Sequence, residues 1–126
     1  MLAGKSALVT GAARGIGKGF VQAYVNEGAK VAIGDINLDA ARAAAEEIGQ
    51  GAYAVHLDVS RQDSIDKAIG SVVDEAGKLD ILVNNAALFD AAETVDITRD
   101  SHDRLFSVNV AGTLFTMQAA ARQMIA

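Results

Sequence analysis

The octapeptide Thr10-Gly11-Ala12-Ala13-Arg14-Gly15-Ile16-Gly17 constrains this chain more than any other segment. It follows a short apolar run, Lys5-Ser6-Ala7-Leu8-Val9-Thr10, whose length fits a strand buried on both faces, and it opens a stretch with helical spacing. Ile16, Phe20, Ala23 and Tyr24 stand at i, i+4, i+7 and i+8, and Gly28 then offers a left-handed stop. Strand, glycine turn, helix is the expected order. In such a unit Gly11 allows the tight turn, Gly15 lets backbone approach a pyrophosphate, and Gly17 lets the helix lie close on the sheet. The helix N-terminus adds unpaired N–H donors and a partial positive charge. A glycine-bearing turn without a ligand could also join strand to helix, but its place directly after a first strand favours binding.

The pattern then repeats. Lys30-Val31-Ala32-Ile33-Gly34-Asp35 reads as a second strand, followed by a helix face at Leu38, Ala41, Ala45 and Ile48 that ends at Gly49. Ala52 to Leu57 is a third strand. Ser60-x-x-Asp63 resembles a capping box for a helix carrying Ile65, Ala68, Ile69 and Val72, with Gly77 after it. Leu79 to Val83 is the fourth strand. Thr98 is the expected cap of a last helical stretch through Leu105, Val108, Phe115 and Ala119, with a kink or break near Asn109 to Gly112 because Gly112 lies inside it. Strands alternating with helices imply right-handed βαβ units and a parallel sheet. The expected fold is therefore α/β, a Rossmann-type doubly wound parallel sheet in three αβα layers, here its first four strands in the order 3-2-1-4. Ligands of such a sheet sit at the carboxyl ends of the strands, where the order reverses.

Composition narrows the function classes. The 126 residues suit one domain, a dinucleotide-binding unit spanning 1–126. Apolar residues make up 51 %, enough for a packed core, and the many alanines suit helices lying close on a sheet. With 16 acidic and 11 basic side chains the net charge is −5, and no basic cluster faces nucleic-acid phosphates. The lack of Cys excludes disulfides, thiolate chemistry and Cys-bound zinc, and no metal site is expected. No basic segment followed by an apolar run opens the chain, and no stretch approaches the ~18 apolar residues of a membrane span. A soluble, cytoplasmic protein without a nucleic-acid or membrane partner is expected.

Asp35 stands at the carboxyl end of strand 2, where a carboxylate can accept both hydroxyls of an adenosine ribose and repel a 2′-phosphate, so NAD is favoured over NADP. A solvated loop acid or a helix cap is the bland alternative, and Asn37 is equally open to the cap. Arg14 could help hold a 2′-phosphate, but the carboxylate at the decisive position weighs more. Asp58 follows strand 3 and could accept from the adenine amino group, although Asp before Val59-Ser60 is also a common turn residue. Asn84-Asn85-Ala86-Ala87 follows strand 4, and adjacent amides there can tie strands together while leaving backbone open to a cofactor. His56 and His102 are 46 positions apart with no carboxylate arrangement around them, which argues against catalysis by either. The acidic residues from Asp90 to Asp103 read as a solvated face.

Together and in this order, Thr-Gly-x-x-x-Gly-x-Gly, Asp35, Asp58-Val59, Asn84-Asn85-Ala86, and Asn109 within Val108-Asn109-Val110-Ala111-Gly112 resemble the short-chain dehydrogenase/reductase family. The resemblance covers the whole chain. Within the family, Leu79 to Asp90 and Asn109 to Ala126 are similar to the bacterial sorbitol (polyol) dehydrogenases, which implies hydride transfer between a sugar alcohol and NAD. One departure is Ala87, where the family usually has glycine. The resemblance implies a cofactor-contacting set of Gly11, Arg14, Gly15, Ile16, Gly17, Asp35, Asp58, Val59, Asn85 and Ala86, and a symmetric homodimer or homotetramer paired through the last helix. It also implies a catalytic Tyr-x-x-x-Lys, a serine, and an asparagine that completes a proton relay. Of these only Asn109 is present, since Tyr24 and Tyr53 are followed four residues later by Gly28 and Leu57. An open apolar edge at Ile81-Leu82-Val83 and an end inside a helical pattern point to the amino-terminal half of a roughly 250-residue enzyme. A dinucleotide-binding module without catalysis, and a reductase of ketones or 3-oxoacyl groups, are the competing readings.

Overall fold

Each strand of the sheet sorts its side chains to two faces, and each face carries its own helices. The computed structural model describes residues 1–126. Strands β1 (Ser6–Thr10), β2 (Lys30–Asp35), β3 (Ala52–His56) and β4 (Ile81–Val83) form one parallel sheet in the order β3-β2-β1-β4. Helices α1 (Gly15–Asn26), α2 (Leu38–Ile48) and α3 (Gln62–Ala76) follow the first three strands. Because neighbouring side chains in a strand point opposite ways, Ala7, Val9, Val31 and Ile33 join one core with Val21 of α1 and Ala41 and Ala44 of α2. Leu8, Ala32 and Val55 join the other, with Ile65, Ala68, Ile69 and Val72 of α3. The expected order of strands and the three layers are therefore present.

The helix faces follow the sequence pattern in α2 and α3 and depart from it in α1. Ile65, Ala68, Ile69 and Val72 are all buried, and Gly77 closes α3 in the left-handed conformation. In α1 the expected stripe through Ile16 and Phe20 is wrong: Ile16 is 77 % exposed and Phe20 40 %. The buried positions are Gly17 and Val21. The cause is Gly17, which has no side chain and so brings the first helical turn against the strand-1 turn. A Cβ there would stand 2.8 Å from the Gly11 carbonyl oxygen and 2.9 Å from Ala12 Cα. Phe20 instead packs edge-on to Tyr24, with ring centroids 6.2 Å apart.

The caps also divide. Asn37 caps α2, its Oδ1 accepting from Ala40 N–H at 3.0 Å. The capping box expected at Ser60 and Asp63 does not form. Asp58 Oδ1 takes both the Ser60 N–H (3.0 Å) and its hydroxyl (2.6 Å), so α3 begins one turn position later, after Arg61. Asp63 pairs with Arg61, whose guanidinium holds the carboxyl below the usual carboxylate range.

Beyond β4, Thr98 caps the last helical run, accepting from Ser101 N–H at 3.1 Å. The run is α4 (Arg99–Phe106), a π-helical segment (Ser107–Gly112) and α5 (Thr113–Ile125). The expected irregularity near Asn109 to Gly112 is this wider turn. Gly112 is buried, and a Cβ on it would stand 2.8 Å from Val59 Cγ2 and 3.0 Å from the Val59 carbonyl oxygen. An extra residue in one turn rotates all that follows, so α5 buries Thr116, Ala119 and Ala120 and leaves Phe115 39 % exposed, off the stripe expected for it. No helix is long and apolar enough to cross a membrane.

Candidate functional site: a cleft at the carboxyl ends of the strands

The order β3-β2-β1-β4 reverses direction at β1, and a cleft of about 790 Å³ opens there at the carboxyl ends of the strands. Gly11, Arg14, Gly15 and Ile16 reach it from the β1–α1 turn, Asp35 from the end of β2, Asp58 and Val59 from the end of β3, and Asn85 and Ala86 from the end of β4. Nine of the ten residues expected to contact a cofactor thus meet in one place. Gly17 is the exception, buried beneath the turn, where it acts by close packing.

The turn presents backbone to the cleft. Gly11 and Gly15 both have φ of +62°, which L side chains rarely adopt. A Cβ at Gly11 would lie 2.8 Å from Ala86 Cα, so that glycine seats the β4 loop against the β1 turn. A Cβ at Gly15 would meet nothing within 4 Å, so only open space faces it. Helix α1 starts without any side-chain cap on its first-turn N–H groups. Free N–H donors, the positive end of a 12-residue helix and a bare glycine make a cradle suited to a phosphate-bearing anion.

Asp35, at the end of β2, is fixed by backbone. Its Oδ2 accepts from Ala13 N–H at 3.1 Å and its Oδ1 from Asn37 N–H at 3.0 Å. Each oxygen keeps a lone pair for an outside hydroxyl. Arg14 is exposed, and no carboxylate pairs with it. Asp58 spends Oδ1 on Ser60, and its N–H donates to Ser64 Oγ at 2.8 Å. An adenine contact would therefore fall to its other oxygen.

The wall beyond β4 is tied together by side chains far apart in sequence. Asn85 Nδ2 donates to the carbonyls of Thr10 (3.1 Å) and Gly11 (3.0 Å). Thr10 Oγ1 accepts from Asn85 N–H (3.0 Å) and Ala86 N–H (2.9 Å). Asn85 is the structural tie that the sequence suggested, whereas Asn84 is exposed. Asn109 does not line the cleft. Its Oδ1 accepts from Leu88 N–H at 2.8 Å and its Nδ2 donates to the Leu88 carbonyl at 2.9 Å, so the side chain locks the loop after β4 to the π-helical segment. Sequence reasoning missed Thr10 as a bridge, and missed Arg104, Ser107 and Val108 as cleft walls. The only signal for the last three was their place just ahead of Asn109.

No tyrosine here is placed as a base. Tyr53 lies on β3 with Lys30 5.6 Å over its ring, and burial pushes its hydroxyl up to about 12, the wrong direction for a proton acceptor at neutral pH. Lys30 is engaged by Glu75 at 2.9 Å. His102 stacks on Phe106 with centroids 4.5 Å apart and meets Asp103, away from the cleft.

Comparisons with known proteins agree with this geometry. The family profile described as short chain dehydrogenase matches residues 5–126. A sorbitol dehydrogenase of Cereibacter sphaeroides is 64 % identical over 125 residues, which are 99 % of this chain and 49 % of that protein. A galactitol 2-dehydrogenase of Agrobacterium fabrum is 51 % identical over 122 residues, 97 % of this chain and 48 % of that one. The crystal structure of a 3-ketoacyl-(acyl-carrier-protein) reductase from Brucella melitensis complexed with NADH superposes with a TM-score of 0.94 at 35 % identity, over 98 % of this chain and 51 % of that one. The chain spans about half the length of these relatives.

Proposed function

Since this chain belongs to the short chain dehydrogenase family, we propose that it is the dinucleotide-binding part of an enzyme that moves a hydride between a sugar alcohol and NAD. The observation that carries this reading is the meeting, in one cleft, of an uncapped helix end beside Gly15 and a backbone-held Asp35. A dinucleotide has a pyrophosphate at its middle and a ribose diol next to it toward the adenine, so these two groups match two neighbouring parts of one molecule. When bound, the dinucleotide supplies the carbon that accepts the hydride.

The residues of this chain divide the remaining work. The first-turn N–H groups of α1 hold the pyrophosphate. The Asp35 carboxylate accepts from the ribose hydroxyls and opposes an added 2′-phosphate, which selects NAD. Thr10 and Asn85 keep the β1 and β4 loops in register so that Ala86 can present backbone to the cofactor. Asn109 is a positioning residue: with its amide committed to Leu88, its backbone is the part left for a proton relay. Removing a proton from the alcohol needs a base within hydrogen-bond reach, and Tyr53 is not one. We place that base in the part of the full-length protein that lies outside residues 1–126.

The sugar-alcohol substrate is supported by the 64 % and 51 % identities to two dehydrogenases named for sugar alcohols, against 35 % for the ketoacyl reductase. The test is NADH formation, followed near 340 nm where reduced nicotinamide absorbs, with sorbitol and galactitol as substrates of the full-length protein. Oxidation of either is expected. Activity on 3-oxoacyl substrates alone would replace the substrate assignment, and dinucleotide binding without turnover on any alcohol or ketone would leave only a binding module.

A further inference from the structure

Leu88 and Arg104 line two hollows at once, the large cleft and a smaller one of about 290 Å³ beside it. The rest of the smaller wall is Phe89, Asp90, Ala91, Ser101 and Leu105. At roughly 30 Å³ per water it has room for several hydroxyl-bearing groups. Its loop is fastened to one helical run at two points. Asn109 holds Leu88, and the Ser101 hydroxyl donates to Asp90 Oδ2. Asp90 Oδ1 also accepts from Ala92 N–H at 2.8 Å, and these bonds hold its carboxyl below the usual carboxylate range. Arg104, by contrast, has no carboxylate within ion-pairing distance. Phe89 is 90 % exposed.

A fixed carboxylate accepts, a free guanidinium donates in a fork, and an exposed ring offers an apolar face. A polyhydroxylated carbon chain needs all three, because each hydroxyl both donates and accepts while its C–H groups seek apolar surface. One positive and one negative charge also leave the hollow without net attraction for an anionic substrate. We propose that this hollow is the subsite for the hydroxyls of the substrate that lie beyond the reacting carbon, with Arg104 and Asp90 as specificity-determining residues. The inference rests on the polyol reading above and extends it from a substrate class to the residues that measure the substrate's length.

The test uses the full-length protein and its Arg104→Met and Asp90→Asn variants, with a hexitol and 1,2-propanediol as alternative substrates. The fall in kcat/KM on the hexitol is expected to be tenfold or more, at least fivefold larger than on propanediol, and carried by KM. In Asp90→Asn, whose residue lines only the smaller hollow, NADH affinity, read by its fluorescence, is expected to stay within twofold. Equal losses on both substrates, no loss, or a loss in NADH affinity in Asp90→Asn would overturn the subsite alone, provided the unmutated protein oxidises hexitols. An unmutated protein that oxidises propanediol but no hexitol would overturn the polyol reading and the subsite together. If Asp90→Asn fails to fold because Ser101 loses its partner, the exposed Arg104→Met decides.

Discussion

Within one octapeptide, glycine answers to two different demands. At Gly17 a Cβ would stand 2.5 Å from Asn85 Nδ2 and 2.8 Å from the Gly11 carbonyl oxygen, so a side chain there would push helix from sheet. At Gly15 nothing would be touched, and the cost is conformational: a φ of +62° disfavours an L residue by about 1–2 kcal/mol. A domain with about 5–15 kcal/mol of stability can absorb that. Gly15→Val should therefore unfold cooperatively with a lowered Tm while losing dinucleotide binding, because a branched side chain would fill the approach to the α1 N–H groups. Circular dichroism melts and an NADH titration read the two effects separately, and binding that survived would reduce Gly15 to a turn residue. The places of the glycines and of Asp35 at the cleft were legible because local spacing carries them. Thr10 was not, since the N–H groups it accepts from lie about 75 residues away and no spacing rule reaches that far.

Strands and helix ends lie within a residue or two of where periodicity puts them, but helix faces were legible only where side chains mark them. Ile65, Ala68, Ile69 and Val72 declare the buried face of α3, whereas α1 turns on a glycine that an apolar pattern counts as blank. Gly112 likewise signalled a break without saying that the turn would widen and rotate α5. A polar tie sets how β4 begins against β1. Asp80 Oδ2 accepts from Ser6 N–H at 2.9 Å and meets Lys78 Nζ at 3.1 Å, while Asp80 N–H donates to the Ser6 carbonyl. The Ser6 N–H bond, then the Lys78 bond, holds the Asp80 carboxyl below the usual carboxylate range. A depressed folded-state pKa stabilises the fold above the unfolded value of about 4, and the contribution is lost as pH falls through the lower folded value. Asp80→Asn should accordingly lower Tm at neutral pH, with the gap to the unmutated protein narrowing in melts taken below about pH 4. A gap that widened in acid would assign the tie to something other than the carboxylate charge.

Over the whole molecule, the parallel order brings four strand ends and one helix N-terminus to a single cleft, and this gathering is what makes a 126-residue chain a candidate binding unit. The same architecture leaves Phe106, Val110, Leu114 and Met117 about half exposed along α4, the π segment and α5. We propose that this face pairs with its copy in a homodimer or homotetramer, which burial of apolar surface would favour. Light scattering on the full-length protein at micromolar concentration is expected to give a dimer or larger, and a monomer would exclude it. We propose that one cleft takes a pyrophosphate at the α1 N-terminus and a ribose diol at Asp35. Paired titrations of NADH and NADPH, against the full-length protein and its Asp35→Ala variant, test it most directly. Tighter NADH binding by the unmutated protein is expected, and in the variant weaker NADH binding with the preference over NADPH relaxed by a few kcal/mol at most, the scale of one charged hydrogen-bonded contact. Equal or tighter NADPH binding by the unmutated protein would contradict it.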